Sequence, residues 1–191
     1  MKPKEFITVV SGLPRSGTSL MMAMLDRGGI PPVQDGVREA DDDNPKGYYE
    51  FERVKRIAED KAWLPACKGK AVKMISRLLV ELPPGYTYKV IWMRRNIDEI
   101  LASQKKMLVR RGTYDASVKD DDVRRMLLKH VEKTLQWVKD HPYVDMIFTH
   151  YNKLLDDPKD EIARLNDHLG GDLDVAAMQA SIDPSLYRNR A

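Results

Sequence analysis

A glycine-containing octapeptide near the amino terminus has the residues best suited to binding an anion. It reads Gly12-Leu-Pro-Arg-Ser-Gly17-Thr-Ser19 and follows a β-branched, apolar run, FITVV. Glycines allow the backbone to bend so that successive N–H groups converge, and a helix that follows directs its positive end to the same point. The octapeptide therefore predicts a phosphate-binding loop, to which Arg15 adds a cation. A glycine turn without a ligand is the alternative.

One position of this loop departs from the loop of nucleotide triphosphatases. Their pattern is GxxxxGK[ST], and the place of the lysine is taken here by Thr18. Since that lysine normally reaches the β- and γ-phosphates, ordinary ATP or GTP chemistry is not favoured. A P-loop kinase is the rival interpretation. It would need an acid at a strand end to hold magnesium, and Asp145 is available only at the start of its strand.

The run PRSGTSLMMAMLD closely resembles the 5′-phosphosulfate loop of sulfotransferases that use 3′-phosphoadenosine 5′-phosphosulfate (PAPS), the tyrosylprotein branch in particular. The resemblance implies an enzyme that moves the sulfuryl group to a hydroxyl acceptor, releases 3′-phosphoadenosine 5′-phosphate (PAP) and needs no metal. The residues it implies around the 5′-phosphosulfate are Arg15, Ser16, Gly17, Thr18 and Ser19. A PAP-binding protein without activity is a further alternative.

A second anchor follows the apolar run KVIWM. In the family that the loop resembles, an arginine at a strand end and a serine eight positions later bind the 3′-phosphate, which implies Arg95 and Ser103 here. Arg95 offers a forked donor at the carboxyl end of a strand, where α/β proteins usually bind ligands. Arg94 alternates to the other side of the strand and is the weaker candidate. A solvated helix face is the alternative for the pair.

The late segment HYNKLLDDPKDEIARLNDHLG resembles the element in which the same family places a tyrosine against the adenine. The resemblance assigns that contact to Tyr151, although Asn152 replaces the usual acid and His168 the usual phenylalanine. A role in the core is the alternative for Tyr151. The terminal SLYRNR implies Arg188 or Arg190 over the nucleotide, with a frayed tail as the alternative.

Sulfuryl transfer demands positioning of the reactants and cations at the leaving oxygen. Arg15 suits this task, and Lys73, in AVKMIS, matches the lysine that the family places near the bridging oxygen. A lysine facing water from an edge strand is the alternative. Cytosolic members take their base from a histidine after this lysine, and that position is Ile75 here.

Three acids remain as candidates for the base, since tyrosylprotein sulfotransferases use a glutamate from the region after the first helix. They are Glu39, Glu50 and Glu52. We favour Glu50 because the turn-forming run NPKGYYE delivers it to the start of a helix. The catalytic prediction is therefore Glu50 with Arg15 and Lys73.

Composition excludes several other classes. Among 191 residues, 32 basic and 29 acidic side chains give a net charge of only +3, which does not indicate a nucleic-acid surface. Cys67 is the one cysteine, so no disulfide forms within the chain, and the four histidines lack metal-ligand spacing. No apolar run is long enough to cross a membrane and the amino terminus lacks a signal-peptide layout, so we expect a cytoplasmic protein.

The elements that position these residues alternate between strands and helices. Apolar runs predict strands over residues 6–10, 71–75, 89–93 and 143–149. Helical patterns cover residues 18–27, 50–61, 120–140 and 159–169, and a further helix begins at Asn96. This order predicts an α/β fold with three layers: a mainly parallel sheet, helices on both faces, and a P-loop NTPase-like arrangement. We expect one domain over residues 1–191.

Overall fold

The structure, a computed structural model, describes residues 4–37 and 47–183. At its centre is a four-stranded sheet in which every neighbouring pair is parallel. Its strands are β1 (Ile7–Gly12), β2 (Ala71–Lys73), β3 (Tyr88–Arg94) and β4 (Val144–His150). Their spatial order is β2-β1-β3-β4. Because the central strands β1 and β3 are parallel, their carboxyl ends lie at the same edge of the sheet.

Six α-helices connect and cover these strands in the described part of the chain. They are α1 (Thr18–Arg27), α2 (Ile97–Arg110), α3 (Asp120–Lys139), α4 (Tyr151–Asp156), α5 (Lys159–His168) and α6 (Val175–Ala180). Three short 3₁₀ helices span Glu52–Arg56, Leu64–Cys67 and Ser76–Glu81. The Asn96 side chain accepts a hydrogen bond from the N–H of Asp98 and so caps α2, the helix predicted to begin at Asn96.

The two faces of the sheet bury separate cores. One face packs against α1, α5 and α6, where Met22, Ile162 and Met178 are fully buried. The other face packs mainly against the 3₁₀ helices and is flanked by α3. The predicted α/β architecture with helices on both faces is thereby confirmed.

Some predicted boundaries were wrong. The region predicted as a helix over residues 50–61 contains only the 3₁₀ helix Glu52–Arg56, followed by turns. Val54 and Ile57 are its buried residues, and a spacing of three suits a 3₁₀ helix because side chains at i and i+3 then face the same way. Strand β2 ends at Lys73 rather than at residue 75, although the N–H of Met74 still donates to the carbonyl of Val10.

Candidate functional site

The glycine loop joins β1 to α1 at the carboxyl edge of the sheet. At Gly12, where φ is +148°, an added Cβ would lie 2.6 Å from the Ser16 Oγ atom and 2.7 Å from the carbonyl oxygen of Met93. At Gly17, where φ is +97°, an added Cβ would overlap the ring of Tyr151. The local path of this loop therefore requires glycine at both positions.

The start of α1 presents backbone groups that can bind an anion. Helix α1 begins at Thr18, and the N–H groups of a first helical turn have no acceptor within the helix. Thr18 and Ser19 are partly exposed there. The Ser16 hydroxyl is instead fully buried beside Gly12 and has no hydrogen-bond partner among the described residues. Of the three hydroxyl side chains in the predicted loop, the two at its helical end are thus the accessible ones.

Lys73 joins this loop from the neighbouring strand. Its Nζ atom donates to the Ser19 Oγ atom over 3.1 Å and to the carbonyl oxygen of Tyr48 over 2.7 Å. The same Nζ atom lies 3.6 Å from a carboxylate oxygen of Glu50, and both side chains are largely buried. Three segments that are distant in sequence therefore place a cation and an acid beside the start of α1.

The segment that carries Glu50 is held in an unusual backbone conformation. Tyr49 has a φ of +51°, in the left-handed region that side chains rarely adopt. On its far side, the Asp35 N–H donates to the Glu50 carbonyl, and the Asp35 carboxylate accepts from the Glu52 N–H over 2.6 Å. This last bond holds the pKa of Asp35 below its usual value.

The other two candidate bases differ from Glu50. Glu52 begins the 3₁₀ helix, and its carboxylate accepts a hydrogen bond from Lys55 over 2.5 Å. The helix predicted over residues 50–61 would have contained both acids. In the structure Glu50 precedes the 3₁₀ helix, so the two acids do not lie on one helix. Glu39 lies outside the described residues.

Arg95 lies at the end of β3, as predicted, but its side chain is buried, with 7% exposure. The Nε atom donates to Glu99 over 2.7 Å, and Nη1 donates to the carbonyl oxygen of Arg15 over 3.1 Å. The guanidinium also lies 4.5 Å from the centre of the Tyr151 ring. Arg94, the weaker candidate, lies over the Phe148 ring on the other side of the strand.

Ser103 is buried on α2 and meets the glycine loop directly. The Nε atom of Arg15 donates to the Ser103 Oγ atom over 2.8 Å. Arg15 has a φ of +71°, so its backbone is held in a conformation that is costly for this residue. The two anchors predicted for opposite ends of a nucleotide thus touch each other.

Tyr151 begins α4 directly after β4 and is buried, with 7% exposure. Its ring packs on Gly17, and burial raises the pKa of its phenol. The ring therefore stands against the glycine loop itself, where it also contributes to the core. Arg188 and Arg190 lie outside the described residues.

Sequence reasoning missed two participants in this cluster. Glu99 is buried and bonded to Arg95, four residues earlier, and a pair at this spacing is a signal that the sequence contains. Asn152 was noted only as a departure from the resembled family, yet its Nδ2 atom donates to Glu99 over 2.9 Å. That second bond joins α4 to α2, and no local pattern in the sequence predicts it.

Residues 4–37 and 47–183 bring together no group of three or more His, Cys, Asp and Glu side chains that could hold a metal ion. No helix in those ranges is long and apolar enough to cross a membrane.

Solved structures with a similar overall fold include several sulfotransferases. Retinol dehydratase, in a complex with androsterone and the inactive cofactor PAP, matches with a TM-score of 0.55 and 19% identity over 95% of this chain. The sulfotransferase domain from the curacin biosynthetic pathway matches with a TM-score of 0.55 and 13% identity over the whole chain. The chain has a sulfotransferase fold.

A third sulfotransferase domain, from the olefin synthase of Synechococcus PCC 7002, matches with a TM-score of 0.51 and 14% identity over 97% of this chain. The chain spans 64% of the length of retinol dehydratase, but 93% and 87% of the two sulfotransferase domains. No protein-family model and no curated protein sequence matches it. At these identities the likeness establishes the sulfotransferase fold, within which the cluster around the glycine loop is the candidate site.

Proposed function

We propose that this chain transfers a sulfuryl group from PAPS to a hydroxyl acceptor and releases PAP. The observation that carries the proposal is the contact of Lys73 with Ser19 at the start of α1. A cation from the next strand thereby serves a loop in which Thr18 takes the place of the triphosphatase lysine. PAPS has no γ-phosphate for that lysine to meet, so its absence agrees with this substrate.

The donor set suits a nucleotide with phosphates at both ends. The first turn of α1, with Arg15 and Lys73, offers N–H groups and two cations to a 5′-phosphosulfate. Arg95 and Ser103 form the matching pair for a 3′-phosphate, joined to the loop through Arg15. Contacts of Tyr151 with the adenine and of Arg188 with the nucleotide remain parts of this proposal.

The proposed reaction breaks the bond between sulfur and the 5′-phosphate oxygen and forms one between sulfur and the acceptor oxygen. Negative charge grows on the phosphate that leaves, where Lys73 and Arg15 stabilise it. The acceptor hydroxyl loses its proton to Glu50, which passes it to solvent. Lys73 and Glu50 lie close enough to act on the leaving and the attacking oxygen of one reaction.

The kinase alternative has weaker support. Asp145, its candidate for holding magnesium, lies near the amino end of β4 and is paired with Lys89, opposite it on β3. The glycine loop lies at the carboxyl end of the sheet. The inactive PAP-binding protein differs from our proposal only in turnover, which an assay decides.

Calorimetry in the absence of magnesium tests the nucleotide. We expect PAP to bind and raise the unfolding temperature, because a ligand that binds only the native state stabilises it. ATP and GTP should bind more weakly, since neither has a 3′-phosphate for Arg95 and Ser103. Equal affinities for ATP and PAP would contradict the assignment.

Labelled PAPS offered with sugars, phenols, lipid alcohols and tyrosine peptides then tests transfer and identifies the acceptor class. A cytoplasmic location remains a prediction.

A further inference from the structure

A buried ion pair between Arg95 and Glu99 adjoins the glycine loop of the proposed nucleotide site. Glu99 is 3% exposed, and its two carboxylate oxygens have different partners. Oε2 accepts from the Arg95 Nε atom over 2.7 Å, and Oε1 accepts from the Asn152 Nδ2 atom over 2.9 Å. A buried carboxylate is tolerated only when such partners compensate for its lost hydration.

The Asn152 amide is suited to this place because it donates a hydrogen bond and carries no charge. An aspartate there would bring a second carboxylate against Oε1 of Glu99. Two adjacent carboxylates in a buried site do not both ionise readily, so they share a proton and titrate as a pair. The identity of residue 152 therefore decides whether this cluster responds to pH.

The cluster continues from Arg95 into the glycine loop. The Nη1 atom of Arg95 donates to the carbonyl oxygen of Arg15, whose backbone is left-handed. The Arg95 guanidinium also contacts the ring of Tyr151, and that ring packs on Gly17. Arg95 thus supports the loop at two points, through a carbonyl and through a ring.

We propose that Glu99 and Asn152 are positioning residues that hold Arg95 against the glycine loop and so set the loop's affinity for phosphate-bearing ligands. Glu99 fixes the direction of the guanidinium, so that Nε is turned inward and Nη1 meets the loop. Asn152 fixes Glu99. For PAP as the ligand, the inference rests on the proposed function. For a simple anion such as pyrophosphate it does not.

The decisive variant is Asn152→Asp, which preserves shape and changes the chemistry. The charged and titratable groups beside Glu99 are Arg95 from the end of β3 and Tyr151 from α4, and Arg15 of the loop acts on Tyr151 in turn. At about pH 5 the carboxylate pair retains a proton that bonds the introduced aspartate to Glu99, and at about pH 8 both acids are ionised and repel. We expect the PAP affinity of the variant, relative to the wild type at the same pH, to fall by about tenfold between these values.

A second variant distinguishes a specific effect on Glu99 from general damage to the fold. In Glu99→Gln combined with Asn152→Asp, the glutamine amide donates to the introduced aspartate, and its oxygen accepts from Arg95. The double variant should regain most of the PAP affinity and lose the added pH dependence, which makes the pair non-additive. Lys153→Ala, an exposed neighbour with the same change in charge, should track the wild type at every pH.

The unfolding temperature without ligand, measured over the same pH range, is the second readout. Asn152→Asp should become less stable relative to the wild type as pH rises. A variant that tracks the wild type over this range in both binding and unfolding overturns the proposal. Inorganic pyrophosphate separates the two ideas. One outcome is that the wild type binds pyrophosphate but not PAP, and that Asn152→Asp weakens pyrophosphate with the pH dependence expected above. The sulfotransferase proposal then fails and the positioning role stands. If it binds neither, both fail.

Discussion

The Nε atom of Arg15 donates a hydrogen bond to the Oγ atom of Ser103 over 2.8 Å. This contact ties the glycine loop to α2, across 88 residues of sequence. In our proposal Arg15 serves the phosphosulfate end of the nucleotide and Ser103 the 3′-phosphate end. The bond therefore couples the two halves of the site.

Removing the Ser103 hydroxyl tests this coupling. Ser103→Ala should weaken PAP by about tenfold, because a hydrogen bond to a charged group is lost. Adenosine 5′-phosphosulfate, which has no 3′-phosphate, should lose less, and calorimetry with both nucleotides measures the difference. Ser117→Ala, at an exposed serine bonded to Asp115, should change neither. An equal loss for both nucleotides would show that Ser103 acts only through Arg15.

The charge of Lys73 can be removed while most of its length is kept. Lys73→Met should lower kcat by about 10²–10³, the usual worth of one group that stabilises a developing anion. PAP affinity should fall less, because the charge matters most as the phosphate leaves. Lys68→Met is the matched control, since Lys68 is exposed and paired with Glu5. A kcat close to that of the wild type would remove Lys73 from the catalytic assignment.

Glu50→Gln keeps the shape of the side chain but removes its ability to take a proton. We expect PAP affinity and fold to persist while turnover falls by about 10²–10⁴. Glu52→Gln serves as the control because Glu52 is paired with Lys55. Glu39→Gln completes the comparison. Turnover measured with one acceptor at one pH ranks the three, and a collapse in either of the others beside a normal Glu50→Gln would reassign the base.

Gly17→Ala separates steric overlap from backbone strain. An added Cβ at Gly17 would overlap the Tyr151 ring, whereas at Gly36, where φ is +71°, it would meet nothing within 4 Å. Gly36→Ala should therefore lower the free energy of unfolding by only about 1 kcal/mol, from strain alone. Gly17→Ala should cost more and abolish PAP binding, because the loop and Tyr151 must separate. Denaturant unfolding of both variants measures this, and equal losses would contradict the packing argument.

The pairing of Ser76 with His130 predicts a dependence of stability on pH. The Ser76 Oγ atom lies 2.7 Å from the His130 Nε2 atom, and burial lowers the pKa of His130 below its usual 6.5. The unfolded chain therefore binds this proton first, so the free energy of unfolding falls as pH drops below about 6.5. His130→Gln should reduce that slope in denaturant melts between about pH 5 and 6.5.

A second histidine supplies the comparison. Burial also lowers the pKa of His168, so His168→Gln should reduce part of the same slope. The two contributions should add, because the residues lie in separate parts of the fold. An unchanged slope in His130→Gln would show that its imidazole titrates normally.

Local features of the sequence determined the position of the glycine loop and the class of fold. The spacing of Gly12 and Gly17 between a β-branched run and a buried helical run predicted a strand, an anion-binding turn and α1. Each of these depends on neighbouring residues alone. The same holds for Asn96, whose cap depends on the next two residues. The alternation of such elements then predicted the parallel sheet, because parallel strands require helical crossovers.

Only the tertiary structure decided which side chains meet. Lys73 reaches Ser19 because β2 lies beside β1, and the register of that pairing is set by the packing of both faces of the sheet. The bonds of Glu99 to Arg95 and to Asn152 depend on α2 and α4 meeting at the end of β3. The 3₁₀ helix after Glu50 likewise forms where Asp35, 17 residues earlier than Glu52, accepts its N–H. Such contacts join distant segments, and the free energy of burial that selects them belongs to the whole core rather than to any stretch of sequence.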